Sequence, residues 1–274
     1  MLKQRLITAV ILIPLVVWAL LALPSSVVTL LFAGVALLAG WEWLQLMEFK
    51  TPVGKAILLL LALALGWLGL LLLPLSIVLS VVVAVWLLAT LLVASHASKP
   101  LGSGLNHLFK SPLFGFSCML LILTGFVASA GFLHSDWPNG PELVLYVLVT
   151  VWLADSGGYF AGKRFGKHKL AVAISPNKTW EGVAGALVLA LIWACLFYFS
   201  VDGLRINLVC WLLLTGFIVM VSIVGDLLES IFKRCFDKKD SGNLLPGHGG
   251  MLDRVDSLLA AVPVFTATLL VLGA

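Results

Sequence analysis

The sequence predicts an all-α fold: a polytopic integral membrane protein with about nine transmembrane helices and a cytoplasmic N-terminus. Three observations predict it. The 274 residues are 61% hydrophobic and 11% charged, with a mean hydropathy of +1.13, whereas soluble domains run at roughly 45–50% apolar and about 25% charged. The apolar residues gather into runs of about 20, the length that crosses a hydrocarbon core. With the N-terminus inside, fifteen of the seventeen Lys and Arg fall in cytoplasmic segments, as the positive-inside bias requires.

The candidate spans are 6–23, 27–47, 56–73, 75–94, 113–133, 143–161, 182–200, 206–228 and 251–272. The first follows Lys3 and Arg5 and has the outline of a signal peptide. Its apolar run is long and no small-x-small site precedes Pro24, so it reads as a retained anchor. Pro74 divides the third and fourth spans tightly. The Asp-Trp-Pro-Asn-Gly-Pro stretch from Asp136 is a turn-rich loop between the fifth and sixth. Arg205 falls outside and Arg254 sits at the start of the last span. Moving the count by one span would put a Lys-rich loop outside. Residues 1–111 form an N-terminal set of four helices, and 112–274 form a C-terminal set of five that carries the polar residues. Cys118, Cys195, Cys210 and Cys235 show no CxxC spacing, which argues against a disulfide framework or a zinc site.

Charge within such a chain is expensive beside lipid and so is informative where it occurs. Ser230 to Asp256 packs bases, carboxylates and glycines between two apolar runs. Asp226, Glu229, Ser230 and Lys233 follow i, i+3, i+4, i+7 spacing and share one helix face. Asp253 and Asp256 are three apart at the start of the last span, so both can reach one hard cation. Arg254 beside them offers a fork suited to phosphate oxygens. Gly249 and Gly250 let backbone N–H groups approach an anion, next to His248.

Upstream, Asp155 lies at the end of the sixth span, where an acid lines a polar cavity or faces water. Gly157 and Gly158 allow either close helix packing or close ligand approach. The stretch from Gly162 lacks the spacing of a P-loop. Ser175, Asn177 and Thr179 are each suited to start the next helix, and Lys178 beside them attracts phosphate. Glu42, between Trp41 and Trp43, reads as an interfacial acid, snorkelling or paired, rather than a catalyst. Carboxylates beside Lys and Arg point to phosphoryl or nucleotidyl transfer with Mg²⁺. The bases lie in short loops on one membrane face, which favours a nucleotide or lipid headgroup over nucleic acid.

Across Ser230, Lys233, Arg234, Lys239, Asp240, Gly242, Leu245, Pro246, His248, Gly249, Gly250, Asp253, Arg254 and Asp256, the chain resembles the phosphatidate cytidylyltransferase, or CDP-diacylglycerol synthase, family. The elements starting at Asp155 and Ser175 are similar to that family's too. The resemblance implies the reaction CTP plus phosphatidate to CDP-diacylglycerol plus pyrophosphate, requiring Mg²⁺, for phospholipid biosynthesis. It also implies a homodimer in the cell inner membrane with the site facing the cytoplasm. On that basis Asp226, Asp253 and Asp256 are assigned to the metal. Lys233, Arg234, Lys239 and Arg254 are assigned to the triphosphate or lipid phosphate. Lys178, His248, Gly249 and Gly250 are weaker phosphate candidates, and Asp155 lines the nucleotide cavity. The rival readings are a CTP-dependent polyprenol or diacylglycerol kinase and a membrane transporter. A transporter should show paired broken helices in two related halves, and the charge here clusters on one side.

Overall fold

The structure, a computed structural model, describes residues 2–99, 101–242, 244 and 249–273. Among them are ten helices and one two-stranded hairpin: α1 (Leu2–Ala22), α2 (Ser25–Leu46), α3 (Pro52–Leu72), α4 (Leu75–His96), α5 (Ser103–Lys110), α6 (Pro112–Asp136), α7 (Gly140–Phe165), β1 (Lys169–Ala171), β2 (Ser175–Thr179), α8 (Trp180–Ser200), α9 (Leu208–Cys235) and α10 (Leu252–Leu272). Eight of the helices are long and apolar enough to cross a membrane, and α1 adds the apolar segment Val10–Ala22. The chain is a multi-pass, all-α membrane protein.

The helices surround α10. Two-thirds of its apolar window is buried (67%), against 11% for the peripheral α3. It packs on α9, α6, α4, α7 and α2, so the C-terminal helix forms the core that the earlier helices enclose. Pro24 and Pro74 stand directly before α2 and α4, where a missing N–H is harmless and a fixed φ is an advantage. Small residues set the tightest pairing, between α7 and α8. A Cβ at Gly157 would lie 2.5 Å from the Gly185 carbonyl oxygen, and one at Gly182 would lie 3.0 Å from that of Gly158. These glycines therefore serve helix packing, as in other membrane bundles.

Two features are absent from the sequence expectations. The short helix α5 is too short to span; it buries Phe109 against the rings of Phe114 and Phe232. The hairpin β1–β2 pairs Lys169 with Thr179 and Ala171 with Ser175. Ser175 and Asn177 thus belong to a strand, and Thr179 alone of the three expected starts caps a helix, its Oγ1 accepting from Gly182 N at 3.1 Å. The helix α9 also continues to Cys235, seven residues beyond the predicted end at 228.

Hydrogen bonds tie each end of the bundle. At one end Ala173 N donates to Ala97 O at 3.1 Å, joining the hairpin to α4. Lys238 Nζ donates to Gln45 O at 3.1 Å, joining the α9–α10 loop to α2. At the other end buried His134 donates from Nε2 to Leu20 O at 2.8 Å and accepts at Nδ1 from Ser25 Oγ at 2.9 Å, stapling α6 to the α1–α2 turn. Of the polar residues singled out above, Glu42, Asp155, Lys178, Asp226, Glu229, Lys233, Asp253, Arg254 and Asp256 lie at the hairpin end.

Candidate active site

Three helices and the hairpin bring one charged cluster together. From α9 come Asp226, Glu229 and Lys233, spaced to project from one face. The first turns of α10 supply Asp253, Arg254 and Asp256, the last turns of α7 supply Asp155, and β2 supplies Lys178. The Lys178 ammonium meets Asp226 Oδ2 at 2.5 Å. Asp256 is within electrostatic reach of Asp226, Glu229 and Asp155. Asp155 is in turn within reach of Asp226, Lys178 and Arg254. Exposure is graded through the group: Asp155 and Arg254 are exposed, Asp226 and Asp256 half-buried, and Glu229 buried. The cluster is thus reachable from outside while its deepest acid is shielded from water.

Lys233 joins the two parts of the signature. Its buried ammonium lies 2.5 Å from Glu229 Oε2 and 2.7 Å from Asp253 Oδ1. The sequence reading places this lysine on phosphate; in the structure its charge is already matched by two carboxylates. Asp253 is held by four contacts. Besides Lys233, Ser241 N donates to Oδ1 at 3.2 Å and to Oδ2 at 3.0 Å, and Gly250 N donates to Oδ2 at 2.9 Å. Gly249 has φ +82°, and a Cβ there would stand 3.0 Å from Asp253 Oδ2. Glycine is needed for both the left-handed backbone and the close approach. These two glycines therefore organise a carboxylate within the chain.

Arg234 and Lys239 are exposed at the rim. Arg234 Nη1 donates to Lys238 O at 3.2 Å, and Lys239 lines a recess of about 290 Å³ with Gln45, Lys238, Asp240, Ser241 and Gly242. His248 lies outside the described residues. Glu42 corrects the sequence reading. It is buried rather than snorkelling, has no ion pair among the described residues, and accepts hydrogen bonds from Ser241 and Leu252 in the signature stretch. The only local cue is a carboxylate inside an otherwise apolar run. The hairpin contributes a further pair, His168 Nδ1 with Glu181 Oε1 at 2.7 Å, which fastens β1 to the start of α8.

All the acids here offer hard oxygen donors, which suit Mg²⁺ better than a soft metal. One of those oxygens, Glu229 Oε1, is buried without a hydrogen-bond partner among the described residues. Such a group calls for a cation or a proton. Among the described residues no group of three or more His, Cys, Asp or Glu side chains is placed to hold a metal ion. A hard cation held by these oxygens would need substrate oxygens and water to complete its coordination shell. By contrast, a cavity of about 480 Å³ among α2, α3 and α6 is lined mainly by apolar residues such as Ala36, Leu59, Trp67 and Leu123.

The whole chain bears a family likeness. The sequence profile of the Cytidylyltransferase family matches residues 3–272. A phosphatidate cytidylyltransferase from Haemophilus influenzae is 40% identical over 283 aligned residues, covering 97% of this chain and 98% of that protein. The protein of that name from Pseudomonas aeruginosa is 39% identical over 277, covering 100% and 98%. One from Bacillus subtilis is 51% identical over a shorter stretch of 124, covering 45% and 46%.

Proposed function

Since the chain belongs to the cytidylyltransferase family and is a membrane nucleotidyltransferase, we propose that it converts CTP and phosphatidate to CDP-diacylglycerol and pyrophosphate, with Mg²⁺, at the cytoplasmic face of the inner membrane. The observation that carries this reading is the convergence of Asp155, Asp226 and Asp256, from three helices, with Lys178 and Arg254 at one end of the bundle. One substrate is anchored in lipid and the other comes from water. A reaction between them requires a charged site at the membrane boundary.

A phosphatidate oxygen attacks the α-phosphorus of CTP, forming a new P–O–P bond, and the α–β bond breaks to release pyrophosphate. The nucleophile is already anionic at neutral pH, so alignment and charge neutralisation are the main tasks. Asp226 and Asp256, with Asp253 as the third assigned carboxylate, would hold the Mg²⁺, which when bound offsets charge on phosphate oxygens. Lys178 and Arg254 draw the phosphates into the cleft, and Arg254 supplies a bidentate fork. Arg234 and Lys239 at the rim attract the anionic substrates. Lys233 pairs with Asp253 and holds it in place. Asp155 closes the cleft on the α7 side. A second copy of the chain completes a homodimer in this reading.

Purified protein in detergent, given CTP labelled at the α-phosphorus, phosphatidate and Mg²⁺, is expected to yield labelled CDP-lipid and pyrophosphate. CDP release with a phosphorylated lipid alcohol would identify a kinase instead. Asp256→Asn is expected to lower the rate by about 100-fold or more with the protein still folded. Undiminished turnover in EDTA would overturn the metal assignment.

A further inference from the structure

Glu42 sits near the C-terminal end of α2, separated by 199 residues from Ser241 and 210 from Leu252. Its Oε2 accepts from Ser241 Oγ at 3.0 Å and from Leu252 N at 2.8 Å. Among the described residues no Lys or Arg pairs with it. A carboxylate shut away from water without a cation is costly unless other donors serve it. Here Ser241 and Leu252 serve Oε2, while Oε1 is buried without a hydrogen-bond partner among the described residues.

Leu252 is the first residue of α10, and Met251 before it provides no side-chain cap. The leading N–H groups of a helix need acceptors, and a negative charge there also complements the helix dipole. Glu42 meets that need from a different helix. Ser241 links the same carboxylate to Asp253, since its hydroxyl donates to Glu42 and its N–H to Asp253. Two glycines of the loop close onto Glu42 as well. A Cβ at Gly242 would stand 2.6 Å from Oε1, and one at Gly250 would overlap Oε2. Ser241, Gly242 and Gly250 are therefore fitted closely around this side chain.

We propose that Glu42 is a positioning residue of the nucleotidyl-transfer site, holding the signature loop and the first turn of α10 so that Asp253 and Lys233 stand in register. It acts through Ser241 and Leu252 and touches no substrate. The inference rests on the cytidylyl-transfer reading for its kinetic test and on the loop geometry for its structural one.

Glu42→Gln keeps the size of the side chain but removes its charge; Ser241→Ala removes one of the two links. In CDP-lipid synthesis Glu42→Gln is expected to lower kcat by about 10- to 100-fold, the scale of a small misplacement at a reacting centre. The KM for CTP should stay within about threefold of wild type, as befits a residue that does not touch substrate. Ser241→Ala should lower kcat less, and the double variant should be no slower than Glu42→Gln alone, because both act through one link. Amide exchange at Ser241 and Leu252 should accelerate in Glu42→Gln. Wild-type kcat, a change in KM alone, or unaltered exchange at both amides would each overturn the proposal. If Glu42→Gln fails to fold, Ser241→Ala decides by the same kcat and exchange readouts. A wild-type protein that makes no CDP-lipid would defeat the functional reading, while amide exchange still decides the role of Glu42.

Discussion

The ammonium of Lys233 lies 2.7 Å from Asp253 Oδ1, joining helices that the chain connects only through a long loop. Glu229 faces the same ammonium at 2.5 Å. All three side chains are largely shielded from water, so removing the cation leaves two carboxylates facing each other. Lys233→Ala is expected to destabilise the protein by about 3–5 kcal/mol, the range for breaking a buried ion pair from one side, and to abolish CDP-lipid synthesis. Thermal inactivation in detergent and an activity assay check both. Lys233→Met, which packs well but carries no charge, should be no more active.

Lys178 and Asp226 form a pair of a different kind. Each is about a quarter to a third exposed, so the pair adds at most about 1 kcal/mol to stability. Lys178→Gln is therefore expected to melt close to wild type. If the lysine also meets a phosphate of CTP, the KM for CTP should rise by about 10- to 100-fold, the worth of a hydrogen bond to a charged group. An unchanged KM would remove Lys178 from the nucleotide site.

The contact between α7 and α8 leaves no room at Gly157. Gly157→Ala should cost about 1–3 kcal/mol through overpacking, and it should lower activity because Asp155 lies two residues away on the same helix. Gly69 on α3 has nothing within 4 Å of its would-be Cβ. Gly69→Ala should change stability by no more than about 0.5 kcal/mol. Comparing the two melts in detergent separates a packing role from a general effect of replacing glycine.

Orientation can be read by chemical labelling. In a chain whose four cysteines are replaced, Lys167→Cys marks the hairpin end and Asp202→Cys the opposite end, both at exposed positions. A membrane-impermeant maleimide should label Asp202→Cys in intact spheroplasts and Lys167→Cys only after permeabilisation. The reverse pattern would move the site to the other side of the membrane.

The legible parts of the chain were those with a local physical signal. Hydropathy is summed along one segment, and a hydrocarbon core imposes a fixed length on it, so each long helix appeared near its predicted place. Spacing along a helix is equally local. That is why Glu229 and Lys233, four residues apart and paired in the structure, could be put on one face. Errors came where the signal was not local. The end of α9 at Cys235 lies beyond the apolar run, so hydropathy stopped the span at 228 although the spacing of Glu229 and Lys233 already carried the helix further. The hairpin β1–β2 has strands too short and too polar to show an alternating pattern, and Ser175-Pro looked like a helix start.

The sequence by itself determined a membrane-spanning, all-helical chain, the bias of its bases to one side, and a dense polar signature before the last span. Only the tertiary structure decided that Lys233 is spent on Glu229 and Asp253, that Lys178 reaches Asp226 from a hairpin, and that Glu42 caps α10 from a helix 210 residues away. Transfer from water to lipid is a property each segment has alone. The pairing of buried charges depends on which segments meet, and no window of sequence contains both partners.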